Sequence, residues 1–171
     1  MINKEAFGLK PYPKIGINTI RDEKTRHKIC SEKVIFHGDP VSKINNRIER
    51  RSKGQDIFGI FLGCMYDKEI PFFSKMYNGK NQTVTAFIAT NLKDRIFLVR
   101  ENGNLNKSDL WKNMNITTDF GDMTTGTSSV KLDSYNVSDE KLDVNFLGFY
   151  SNFENDTNNK NSICVVKINE K

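Results

Sequence analysis

The side chains that could do chemistry in this chain fall into three groups: a lone turn histidine, a basic stretch and an acidic stretch. His37 lies in His37-Gly38-Asp39-Pro40. Metal-free cleavage of a phosphodiester needs a general base and acid with a cation near the phosphate. His37 with Arg47 or Arg50 supplies those residue types. A small metal-independent ribonuclease or toxin is therefore one expectation. The competing reading of His37 is a turn residue beside a helix cap. The second histidine, His27, sits in the charged run from Arg21 to Lys28 and reads as solvated.

The basic stretch is Lys43, Arg47, Arg50, Arg51 and Lys53. Arginine forks suit phosphate and nucleic acid. Residues 1–53 hold 13 Lys and Arg against 6 Asp and Glu, whereas the rest of the chain has a slight acidic excess. The net charge of +5 is thus N-terminal in origin. Such a segment draws phosphate-bearing partners, nucleotide or nucleic acid. A partner-binding inhibitor that masks a protein surface by charge is a further expectation.

The acidic stretch runs through Asp119, Asp122, Asp133, Asp139, Glu140 and Asp143. Carboxylates hold Mg²⁺ when they converge on one oxygen cage. Otherwise they are the solvated side of a loop. The chain has no GxSxG, P-loop or dinucleotide GxGxxG. Cys30, Cys64 and Cys164 form no CxxC pair, and their odd number suits reduced thiols better than a disulfide framework. No apolar run approaches the roughly 20 residues of a membrane span, and no signal-type apolar stretch opens the chain. A cytoplasmic protein without membrane contact is expected.

These groups must be positioned by the apolar segments around them. Asp39 suits an N-cap and Pro40 a first helical position. Val41, Ile44 and Ile48 follow at i, i+3 and i+7, so the pattern predicts a basic amphipathic helix over residues 40–53, stopped by Gly54. Residues 57–66 read as a strand and residues 70–77 as its return, with Asn78-Gly79 as a turn. Residues 83–100 read as a hairpin, because two β-rich arms flank Asn91-Leu92-Lys93-Asp94. These four strands predict a meander. Residues 130–141 are weakly helical in pattern, and residues 144–150 and 163–168 are strands.

From residue 80 to residue 168 this order resembles the core of the Nudix hydrolases. The strand, turn and strand of residues 83–100 look like the family's opening pair. Trp111 stands where a tryptophan often precedes the Nudix box, and residues 142–151 look like the strand that follows it. In that family a glycine-led loop, helix and loop carries the glutamates that hold Mg²⁺ for attack on a diphosphate. Counted from Gly121, Thr127 takes the place of the first glutamate, and Tyr135 and Asn136 that of the Arg-Glu pair. Only Asp139 and Glu140 keep the acidic pair in kind. The second glycine is missing.

The resemblance implies Mg²⁺ at Asp139 and Glu140, with hydrolysis lost or much reduced. The expectation is a single α+β domain over residues 1–171, with a mixed, largely antiparallel, Nudix-like sheet and few helices. Residues 1–53 would form the basic segment and residues 54–171 the sheet-rich core. A regulatory or interaction module is expected, in which Arg47, Arg50 and Arg51 bind a nucleotide or other phosphate-bearing partner.

Overall fold

A computed structural model of the chain describes residues 6–12, 24–29, 33–66, 70–80, 83–103, 105–151 and 161–169. The described residues form β1 (Lys10–Pro11), β2 (Lys24–Ile29), β3 (Ile35–Phe36), β4 (Pro40–Ile44), β5 (Arg47–Arg50) and β6 (Gly59–Tyr66). These are followed by β7 (Phe72–Ser74), β8 (Met76–Tyr77), β9 (Thr83–Ala89) and β10 (Phe97–Arg100). A 3₁₀ turn, Lys107–Asp109, then leads to β11 (Asn113–Met114), β12 (Val144–Phe149) and β13 (Ile163–Ile168).

Five strands close into a small barrel in the order β4-β5-β2-β9-β6, with β6 returning to β4 through Pro40↔Ile60 and Val41↔Gly59. Every pair is antiparallel except β2 with β5. Closure leaves these strands without open edges. All five contribute to one buried cluster: Ile29, Val41, Ile48, Phe61, Cys64, Tyr66, Val84, Ala86 and Ile88. Ile35 of β3 and Tyr77 of β8, themselves a paired rung, complete it.

A second sheet, β1-β10-β13-β12-β11, packs on the barrel's outside. Its Phe97, Val99, Val144, Phe146, Cys164, Val166 and Ile168 meet Ile60 and Ala89 of the barrel and Leu132 of the long connection. Strand β6 is therefore buried on both faces, which accounts for its almost unbroken apolar run. Its first half pairs with β4 and its second half with β7. A bulge at Phe61/Gly63 separates the two halves. Gly63 has φ +128, and a Cβ there would meet the Phe73 ring at 2.5 Å.

The largely antiparallel sheet is observed, but the helical part of the expectation is overturned. Of residues 40–53, residues 40–50 form the β4–β5 hairpin, with Ile44 opposite Arg47, and residues 51–53 leave it as coil and turn. Asn45 and Asn46 have φ 49 and 60, the two positive values of a tight two-residue hairpin turn. Asparagine tolerates that conformation, so the local turn chemistry outweighs the helical spacing. Val41 and Ile48 are buried, but across a hairpin and not along a helix.

Residues 130–141 are not helical either. Ser138 Oγ accepts from the Glu140 N–H, and Leu132 bridges to both Glu101 and Ile116. Side chains and neighbouring segments thus take the backbone groups that a helix would use.

Residues 83–100 are not a hairpin. Strand β9 is flanked by β6 and β2, so both its edges are filled. The chain crosses through buried Leu92 to the other sheet, where β10 pairs with β13 and β1. The expected meander is likewise broken, because β8 leaves to pair with β3. The charge boundary near residue 53 is not an architectural one: β5 and β6 belong to the same barrel.

Candidate anion-binding site

Asp39 begins at the seam where β6 meets β4, and its carboxylate is fully buried. It accepts three hydrogen bonds. The Phe36 N–H donates to Oδ2 at 3.0 Å, Arg50 Nε to Oδ2 at 2.8 Å and Ser128 Oγ to Oδ1 at 2.6 Å. The sequence predicts a cap at Asp39, and it does cap a backbone N–H, but of the turn behind it. Burial raises the Asp39 pKa, opposed by Arg50 and the Ser128 and Phe36 hydrogen bonds.

Arg50 reaches this carboxylate from the last position of β5. Its Nη2 donates to the carbonyls of Asp119 and, at 3.4 Å, Thr118. These contacts fix the guanidinium between the barrel seam and the segment ahead of Gly121. The Nη1 hydrogens have no partner among the described residues. The Arg50 side chain as a whole is 15% exposed.

Arg50 lines a cleft of about 420 Å³ together with Lys33, Val34, Arg51, Ser52, Lys53, Thr118 and Phe120. Lys33 Nζ donates to Ser52 Oγ at 3.3 Å and lies 3.7 Å from Glu49. Lys53 is exposed and has no ion-pair partner among the described residues. Phe120 is 59% exposed. It meets buried Phe36 edge-on at 4.9 Å, with the Arg50 guanidinium 5.8 Å from its centroid.

Of the three arginines expected to bind, the structure brings Arg50 and Arg51 to this cleft. The Arg51 head group is buried and paired with Asp143, while Nε donates to the Gln55 carbonyl at 2.7 Å. Asp143 in turn accepts from the Ile116 N–H at 3.0 Å. Arg51 thus ties the barrel to the second sheet and has little left for a ligand. Arg47 is exposed beside the hairpin turn and does not line the cleft. Sequence reasoning missed Lys33, Thr118 and Phe120. Nothing local marks them, since they meet Arg50 only through the tertiary fold.

His37 is half-buried, and its Nδ1 donates to the Leu62 carbonyl at 3.0 Å. Its backbone clamps the 121–128 turn, with His37 N–H to the Gly126 carbonyl and Ser128 N–H to the His37 carbonyl, both at 3.0 Å. His27 lies in β2.

The expected metal residues, Asp139 and Glu140, lie side by side at the surface. Asp139 is paired with Lys112, and its side chain is 84% exposed. Glu140 is exposed beside it. Asp122 closes its own turn by accepting from the Thr124 N–H at 2.8 Å and the Thr125 hydroxyl at 3.0 Å. Among the described residues no three His, Cys, Asp or Glu side chains group around a common metal position. A carboxylate neutralised by lysine and one exposed neighbour do not fit a magnesium cage. The segment 121–142, where the Nudix resemblance implies a helix, is built of turns and isolated bridges.

No family model matches the chain, and no curated protein or solved structure matches it. Among the described residues no helix is long and apolar enough to cross a membrane.

Proposed function

We propose that this protein is a non-catalytic binding module for a nucleotide or other phosphate-bearing partner, held in the cleft between β5 and residues 118–120. The observation that supports this reading is Arg50. Its Nε and Nη2 are fixed by Asp39 and two carbonyls, its Nη1 has no partner among the described residues, and the residue lines a cleft that also carries Lys33 and Lys53. An arginine immobilised in this way loses little further entropy on gripping a phosphate. The charge available is modest, because Asp39, Asp143 and Glu49 offset most of the cations. The reading therefore favours weak, salt-sensitive binding over a tight anion trap.

Isothermal titration with tripolyphosphate tests it. The parent should bind at low salt, and the Lys33→Ala/Lys53→Ala double variant should lose most of that binding. A parent that binds no polyphosphate removes the proposal.

A further inference from the structure

We infer that the ligand of this cleft carries an unpaired nucleobase, which stacks on Phe120. The inference rests on the phosphate-binding reading above and names the chemistry of the rest of the ligand.

Cations alone would serve a bare phosphate. This cleft adds an aromatic residue, Phe120, that is 59% exposed yet held in place by its neighbours. Phe36, itself fully buried, supports the ring edge-on at 4.9 Å and 84°. Gly121 makes that support possible: a Cβ at this position would lie 2.5 Å from the Phe36 ring. Arg50 braces the ring from a further side, with its guanidinium carbon 5.8 Å from the centroid. Val34 adds an apolar wall, while Ser52 and Thr118 add hydroxyls. A rigid open ring beside cations, in a cleft of about 420 Å³, suits a flat aromatic group joined to a phosphate. Bases in a duplex are stacked on one another and cannot offer a face to the ring. The shared chemistry is thus a nucleobase with its phosphate free of pairing, from either a mononucleotide or a single strand.

The test titrates the full chain with tripolyphosphate, adenosine triphosphate, a single-stranded thymidine 12-mer and an abasic 12-mer. Phe120→Leu keeps the apolar bulk and removes the ring. Loss of one stacked base should weaken nucleotide binding by about 5- to 150-fold. Binding of tripolyphosphate and the abasic strand should be unchanged. If the parent binds the 12-mer far more tightly than adenosine triphosphate, the source is a strand; equal binding points to a free nucleotide. If the parent prefers neither base-bearing ligand over its base-free counterpart, and Phe120→Leu changes nothing, base stacking is overturned while phosphate binding stands. If none of the four ligands binds, both readings fall.

Discussion

Arg50 Nε donates to Asp39 Oδ2 across 2.8 Å, and this pair joins the barrel seam to the wall of the candidate cleft. Asp39 is fully buried, and the Arg50 side chain is 15% exposed. Removing the arginine leaves an uncompensated carboxylate inside the protein. Arg50→Ala should therefore cost about 3 kcal/mol or more of stability, a magnitude usual for breaking a buried pair. Urea unfolding checks this. A loss below about 1 kcal/mol would mean that the pair is solvated as an exposed one is.

The same carboxylate gives the pH dependence a definite sign. Burial raises the Asp39 pKa above its ordinary 3.8. A group whose folded pKa is raised favours folding fully below its unfolded pKa, and that contribution is lost as pH rises through the folded value. The stability of the parent relative to Asp39→Asn should fall as pH rises from 3.8 through that raised value. Unfolding midpoints of both proteins between pH 3 and pH 7 provide the test. A relative stability that rises over this window would show that Arg50 outweighs the cost of burial.

One substitution at the β4–β5 turn distinguishes a hairpin from a helix. Asn46 has φ 60. Placing alanine in a left-handed conformation costs roughly 1 kcal/mol. In a helix interior, alanine would instead be the better residue by about 0.5 kcal/mol. Asn46→Ala should therefore lower the unfolding midpoint, and a stabilised variant would argue for the helix.

The thiols should be inert. Cys64 and Cys164 are buried and free of disulfides. Burial pushes the Cys64 thiol up to about 11 and the Cys164 thiol higher still. Thiolate is the reactive form, so neither should react at pH 8 before the protein unfolds. Cys30 lies outside the described residues, and a Cys30→Ser background isolates the other two. Rapid labelling of a full equivalent by a thiol reagent in that background would contradict their burial.

The strands were more legible in the sequence than their partners. Residues 144–149 and 163–168 fold as strands because alternating apolar side chains fix one buried face, and both lie where the pattern placed them. Residues 83–89 and 97–100 are also strands, yet the apparent hairpin between them does not form. The edges of β9 are taken by β2 and β6, which lie far away in sequence, and local pattern carries no record of that competition. At residues 40–53 a helical spacing and a hairpin turn coexisted, and two adjacent asparagines decided the outcome. The candidate site was legible only in part. The basic side chains are visible in composition, but their division into a ligand-facing Arg50 and a structural Arg51 depends on Asp39 and Asp143. Phe120 reaches Arg50 through the docking of the 121–128 turn on His37, a contact no motif announces.

The central claim is that the cleft around Arg50 holds phosphate. The most direct measurement is a residue-resolved NMR titration of the full chain with a single-stranded 12-mer at several salt concentrations. Shifts should concentrate on the amides of Lys33, Arg50, Ser52, Lys53 and Phe120. With Arg50, Lys33 and Lys53 each neutralising a phosphate, the logarithm of affinity should fall with the logarithm of salt at a slope of about −2.1. Shifts confined to another face, or binding indifferent to salt, would contradict the account.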